Sequence, residues 1–220
     1  MRVLGIVGSP RKGGNTELMV KEALAAATEE GAETDIFLVA GKTISGCDGC
    51  QSCFKTGACK TKDDMQALYT KMEWADAIVF GTPVYFHDVA AQAKAVMDRC
   101  YCYLPSHKLR GKVVAPVLAL GKIGASTARM HLFDWGLLLG MTPVEGAIGY
   151  GHAKGDVLTG EGAGPKRSAM EEARVTGKEV VEMVNKLGAG KLKIKTSKSK
   201  TQIKNKKLIP EKKGTRIKWK

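Results

Sequence analysis

An α/β fold built on an open, doubly wound parallel sheet is predicted by three observations. Five short apolar runs alternate with five helical patterns along 220 residues, a length suited to one domain with a sizeable core. Three of the runs are apolar at nearly every position, as strands buried on both faces must be. The glycines, hydroxyls and cysteines gather in the loops that follow the runs, where such sheets hold their ligands.

The strand-like runs are Val3–Gly8, Asp35–Val39, Ala77–Gly81, Val113–Leu120 and Val144–Gly149. Helices are predicted over residues 16–30, 62–75, 89–103, 126–140 and 166–187. The second opens on the capping pattern Thr61-Lys62-Asp63-Asp64 and puts Met65, Leu68, Tyr69 and Met72 on one face. The last carries Met170, Ala173, Gly177, Val180, Val184 and Leu187 at three- and four-residue steps. Pro165 stands where a helix begins and Gly188 where one ends. Five strands joined by helices in this way take the order 2-1-3-4-5, with a ligand outside the carboxyl ends of strands 1 and 3.

Apolar residues make up 44% of the chain, and no stretch approaches the roughly 20 residues that span a bilayer. Met1 to Gly8 runs into a strand with none of the features of a secretory signal, so a cytoplasmic protein is expected. The net charge of +13 is unevenly distributed. Residues 188–220 hold 13 basic residues and one acid, Glu211, leaving 22 basic and 21 acidic residues in 1–187. The sequence therefore divides into a near-neutral domain, 1–187, and a basic C-terminal extension, 188–220. Within the extension, Lys191 to Lys195 alternates charge and aliphatic residues, a pattern that suits an exposed edge strand. Ile203, Leu208, Ile209, Ile217 and Trp219 are too many apolar residues for a wholly solvated segment. The extension is expected to pack partly on the domain or on a sister subunit. No nucleic-acid-binding motif is present, and nucleic acid is not an expected partner.

Gly8-Ser9-Pro10-Arg11-Lys12-Gly13-Gly14-Asn15-Thr16 joins the first strand to the first helix. Glycines, hydroxyls and two cations at a helix N-terminus suit an anion, because free N–H groups and the helix dipole both favour negative charge. The loop matches neither the Walker A pattern nor G-x-G-x-x-G, so a monophosphate ester such as that of FMN fits better than a dinucleotide. Ser9, Asn15 and Thr16 would donate hydrogen bonds, and Arg11 would supply charge. The loop after the third strand, Gly81-Thr82-Pro83-Val84-Tyr85-Phe86-His87, offers a stiffening proline and bulky residues that would lie along a flat ring. His87 is either a proton donor beside that ring or a solvated loop residue; no catalytic side chain is assigned. The glycine-rich segment 149–164 reads as a connection rather than a flap over the ligand.

These segments resemble the FMN-binding signatures of the NADPH-dependent FMN reductase family. The residues concerned are Gly8 to Thr16 and Pro83-Val84-Tyr85-Phe86, and Ala91-Gln92-Ala93-Lys94 with Met97-Asp98-Arg99 is similar to the family's helix after the second loop. The resemblance covers roughly residues 1–187 and implies a flavodoxin-like fold holding FMN non-covalently. Ser9, Arg11, Asn15 and Thr16 would meet the phosphate, and Pro83, Val84, Tyr85 and Phe86 the isoalloxazine. It also implies a homodimer or homotetramer with the flavin near a subunit interface. The loop Gly121-Lys122-Ile123-Gly124-Ala125-Ser126 departs from the family's Gly-Gly pattern, so no flavin contact is expected from it.

Six cysteines are present, four of them between residues 47 and 59. Cys47, Cys50, Cys53 and Cys59 are spaced Cys-x2-Cys-x2-Cys-x5-Cys, with Gly46, Gly49 and Gly57 supplying turns. In the cytoplasm such clustering points to metal or redox chemistry rather than structural disulfides. Five residues precede the fourth cysteine and Lys60 follows it, so the run is not a ferredoxin module. It resembles the compact motif of iron–sulfur flavoproteins, a branch of the same family, in which it holds a [4Fe–4S] cluster. Free or redox-active thiols and a zinc site are the alternatives. Cys100 and Cys102 are read as packing residues.

The leading expectation is an FMN-dependent oxidoreductase that passes electrons between a [4Fe–4S] cluster and FMN to a small acceptor, fed by a ferredoxin-like donor. The basic extension would then dock an acidic redox partner. The alternative is an NAD(P)H-dependent FMN or quinone reductase without a cluster.

Overall fold

The computed structural model describes residues 1–162 and 167–194, with the backbone alone for 189–194. In chain order the strands are β1 (Arg2–Val7), β2 (Glu33–Leu38), β3 (Ala77–Tyr85), β4 (Asp88–Val89), β5 (Val113–Leu120), β6 (Thr142–Pro143) and β7 (Ala147–Tyr150). The helices are α1 (Asn15–Glu29), α2 (Ser52–Thr56), α3 (Met65–Trp74), α4 (Ala91–Arg99), α5 (Tyr103–Ser106), α6 (Ala125–Leu138) and α7 (Ala169–Ile194). Single 3₁₀ turns cover Cys100–Cys102 and Asp156–Leu158.

The sheet runs β2-β1-β3-β5, all parallel, and both β6 and β7 lie against β5. The predicted order therefore appears, but with seven strands instead of five. The outer strand is broken into two pieces: Val113 and Val114 pair with Thr142 and Pro143, and Val117 to Leu120 pair with Ala147 to Tyr150. The seventh, β4, folds back antiparallel on the end of β3.

Strand periodicity sorts the core into two layers. Leu4, Ile6, Ile78, Phe80, Val114 and Leu118 point to the layer covered by α3, α4 and α6. Val3, Val7, Ala77, Val79, Val113, Ala115 and Val117 point to the layer covered by α1 and α7. Every residue of β5 is buried. Each fully buried Val or Leu contributes about 1.5–3 kcal/mol. On the first layer Phe80 and Trp135 meet edge to face at 5.5 Å, and the Trp135 indole N–H donates to the Met97 carbonyl at 3.2 Å. On the second, α7 lies so close to α1 that a Cβ at Gly177 would stand 2.1 Å from the Ala23 carbonyl oxygen. Arg174 ties the same pair of helices through Glu22 and Glu29.

Two expectations at the C-terminus change. The backbone from Lys191 to Ile194 is helical rather than an edge strand, and α7 passes Gly188 without stopping. A four-residue alternation is weak evidence against lysine and leucine, which are good helix formers. Pro165 and the remainder of the extension from residue 195 lie outside the described residues. Among the described residues, no helix is long and apolar enough to cross a membrane.

Candidate functional site

The carboxyl ends of β1, β3 and β5 open into one cavity of about 220 Å³. Its walls are Ser9, Arg11, Gly14, Asn15 and Thr16 from the loop after β1, and Pro83, Val84 and Tyr85 from the end of β3. Ala119, Leu120 and Gly121 close it from β5, and residues 151–154 from the loop after β7. Seven of the eight residues expected at a flavin are thus gathered around one space.

The end of the cavity expected to take a phosphate follows from helix geometry. α1 starts after Gly14, whose extended backbone brings no side-chain cap, so the first N–H groups of the helix lack intrahelical partners at the cavity wall. Ser9 and Thr16 are buried there, and the Ser9 hydroxyl accepts the Arg11 N–H at 3.1 Å. Glu17 stabilises the loop from behind by accepting the Gly13 N–H at 2.6 Å and bonding Lys21. Burial pushes its carboxyl up, but the Lys21 and Gly13 bonds outweigh burial and hold it below the usual range.

Asn15 lines the cavity as expected and has a further task. Its carboxamide donates to the Ala153 carbonyl at 2.9 Å and accepts the Gly155 N–H at 2.7 Å. Both ends of the amide thus hold the loop after β7, which Asp156 also braces by accepting the His152 and Ala153 N–H groups. The glycine-rich segment is therefore a wall of the cavity and not a bare connection. It brings His152 and Lys154 to the lining, two residues the sequence reading missed. Their signal was the side chain of Asn15, which a turn alone does not need. Gly121 also reaches the cavity, although no contact was expected from its loop.

At the opposite end, β3 and β4 form a hairpin closed by Phe86 and His87, with Val84 opposite Val89 and Tyr85 opposite Asp88. Both turn residues have positive φ, 49° and 65°, the type I′ geometry usually filled by Asn-Gly. Each costs about 1–3 kcal/mol of backbone strain, held here by the packed strand ends. Pro83, Val84 and half-exposed Tyr85 line the cavity. Phe86, placed along the ring by resemblance, instead stands at the tip with its side chain fully in solvent, and neither it nor His87 lines the cavity.

The loop after β2 carries Cys47, Cys50, Cys53 and Cys59 around a second, smaller hollow. It begins beside the first site, since Lys12 lies against Gly41. Cys47 and Cys50 are exposed, Cys53 is buried on α2, and Cys59 is half-buried. Burial pushes the Cys53 thiol up. Burial also acts on Cys59, but the Thr61, Tyr69 and Arg99 groups that face it outweigh burial and bring that thiol below its ordinary value. Cys102 packs in the core as expected, with burial pushing its thiol up to about 11, and it also backs the same hollow. Tyr101 and Arg99 complete the wall. The signal for Arg99 was a charge on the buried face of α4, three residues after Val96.

The donor set fits an iron–sulfur centre in kind and number: four thiols, one buried cation, and a loop whose Gly46, Gly49 and Gly57 have no atom within 4 Å of a would-be Cβ. Among the described residues no three His, Cys, Asp or Glu side chains already converge as a metal site.

A ligand cavity at the carboxyl edge of a doubly wound sheet, on the loops after strands 1 and 3, defines a flavodoxin-like nucleotide-binding protein. Residues 1–155 match the family described as NADPH-dependent FMN reductase, and the chain belongs to it. An iron-sulfur flavoprotein of Methanocaldococcus jannaschii is 38% identical over 195 residues, 84% of this chain and 97% of that protein. An iron-sulfur flavoprotein of Archaeoglobus fulgidus is also 38% identical, over 84% of this chain and 98% of its own. Among solved structures, a flavone reductase superposes with a TM-score of 0.67 at 19% identity, covering 86% of this chain and 64% of its own. RosB with bound 8-demethyl-8-formylriboflavin-5'-phosphate superposes with a TM-score of 0.65 at 15% identity, covering 99% and 96%. The chain is an FMN-dependent oxidoreductase of this family, with iron-sulfur flavoproteins among its relatives.

Proposed function

We propose that the protein moves electrons between a [4Fe–4S] cluster on Cys47, Cys50, Cys53 and Cys59 and FMN in the cavity after β1, and on to a small acceptor. The observation that carries this reading is the placement of both sites on one edge of the sheet, with the cysteine loop leaving β2 beside the phosphate loop leaving β1. When bound, the cluster supplies single electrons and the flavin converts them to one- or two-electron chemistry.

The chain's own residues bind and orient. The N-terminus of α1, Ser9, Thr16 and Arg11 take the phosphate, and Lys154 adds charge from the opposite wall. Pro83, Val84 and Tyr85 lie along the ring, and Leu120 and Gly121 exclude water behind it. Asn15 keeps the wall from residues 151–155 in place. Residues 1–187 serve as the FMN domain, and the basic residues beyond it would favour an acidic donor such as a ferredoxin. By family resemblance the protein works as a homodimer or homotetramer.

Anaerobic purification with assays of iron, acid-labile sulfide, zinc and flavin tests this directly. About four iron and four sulfide beside one FMN is the expected result. FMN without iron overturns the cluster. A second reading then leads, an NAD(P)H-dependent FMN or quinone reductase. It is favoured by the half-exposed Tyr85 at the cavity mouth, which leaves the ring approachable. A Deinococcus radiodurans protein named NAD(P)H dehydrogenase (quinone), 27% identical over 55% of this chain and 64% of its own, supports it too. Rapid NADPH oxidation by the iron-free, FMN-loaded protein would establish that reading.

A further inference from the structure

Among the described residues Arg99 is the largest fully buried side chain, only 1% exposed, and it is a cation. Such a group is tolerated only with partners that repay its desolvation. Its Nη1 donates to the Ser45 carbonyl at 3.1 Å and to Asp63 at 2.6 Å. Its Nη2 donates to the Thr61 carbonyl at 3.3 Å and to Asp63 at 3.2 Å. Asp63 in turn accepts the Ser45 N–H at 3.0 Å and the Met65 N–H at 3.1 Å. Ser45 and Thr61 flank the cysteine segment on its two sides, so the Arg99–Asp63 pair is a clasp that draws the ends of that loop together. A guanidinium has five N–H donors. Four are used by the clasp; the fifth, on Nε, is buried and meets no acceptor among protein atoms. The side chain that carries it is part of the wall of the hollow that holds the four cysteines.

We infer that Arg99 is a positioning residue of the cysteine site: it closes the loop and offers its fifth N–H and its charge to the sulfur held in the hollow. The inference rests on the iron–sulfur reading above. An unpaired buried N–H is costly, and a sulfur acceptor in the hollow would relieve that cost. Net charge and hydrogen bonds to sulfur set the potential of such a centre. A buried cation and an N–H···S bond both favour the reduced, more negative state, so Arg99 raises the potential. Asp63, a buried anion on the far side of the clasp, opposes that effect. The two partners therefore act on the centre with opposite sign, although losing either one loosens the same loop.

The test uses the full chain loaded anaerobically with FMN, iron and sulfide, with the midpoint of the iron–sulfur centre read by redox titration. Flavin content and circular dichroism confirm the fold of each variant. R99Q is expected to retain the centre with its one-electron reduction equilibrium weakened tenfold or more, a fall of about 59 mV. R99K, which keeps charge but lacks Nε–H, should fall between R99Q and the parent, and D63N should move upward. Opposite shifts of the arginine and aspartate variants support the inference. Shifts in the same direction, or no shift in either, show a purely structural clasp and overturn it. Where R99Q does not fold, R99K against D63N decides by the same signs. A parent protein that takes up no iron overturns the site reading itself and this inference with it, a failure the iron assay separates from an unchanged potential.

Discussion

The two sites lie side by side on one edge of the sheet, yet they are built in opposite ways. The cavity after β1 is framed by strand ends, a helix N-terminus and a loop pinned by Asn15, so most of its shape exists without an occupant. The cysteine hollow is framed by a loop with a five-residue helix and three glycines beside open space; the Arg99 clasp ties its two ends, and between them Cys53 is buried and Phe54 packs on Tyr101. An organic cofactor with its own rigid shape is met by a prepared surface. An inorganic centre supplies its own bonds, so the chain need only deliver four sulfurs within reach.

The sharpest way to break this comparison is Cys53→Ser, which removes the one buried thiol of the four. Iron should fall to background while FMN per chain stays unchanged; simultaneous loss of both would show that the sites are not independent.

The next effect concerns the clasp and acid. Burial pushes the Asp63 carboxyl up, but Arg99 and the Ser45 and Met65 N–H groups outweigh it and hold it below its ordinary 3.8. A depressed folded value means that the stabilisation is fully present above about pH 4 and is lost as pH falls through that lower value. Removing one partner of a buried pair costs about 3–5 kcal/mol. D63N should lower stability by that order at pH 7 in urea unfolding, and the gap between parent and variant should narrow towards pH 2.

On the other site, Arg11→Ala should weaken FMN binding by about tenfold at low salt, with a smaller loss at high salt because the residue is exposed. Fluorescence titration of the apoprotein measures this, and iron content should not change. The smallest effect is expected from Asn15→Ala. Two lost hydrogen bonds of about 0.5–1.5 kcal/mol each loosen residues 151–155 without touching the phosphate directly. A roughly fivefold weaker FMN complex, faster to exchange, is the expected outcome.

The strand order was legible because buried parallel strands announce themselves: Val113–Leu120 is apolar throughout and is buried throughout. The broken outer strand was not. Val144-Glu145-Gly146 leaves the sheet where Gly146 passes against the Pro116 carbonyl, a contact between residues far apart in the chain that no local pattern encodes. The hairpin after β3 was hidden for a local reason, since Phe86-His87 lacks the Asn-Gly signature of its turn. Loop residues of the flavin cavity were readable as chemistry at a helix start, whereas Lys154 and His152 depended on the fold returning a distant loop to that place. Arg99 was visible only as part of the family resemblance and as a charge out of step with its helix. Its meaning came from Ser45, Thr61 and Asp63, which tertiary packing assembles.

Asn15 opens α1 and, with the same side chain, fastens the backbone at 153 and 155. Residues separated by some 140 positions are thus joined at a single carboxamide. Opening that wall requires both amide bonds to break, so loss of Asn15 is expected to speed flavin exchange more than it weakens the electrostatic attraction for the phosphate.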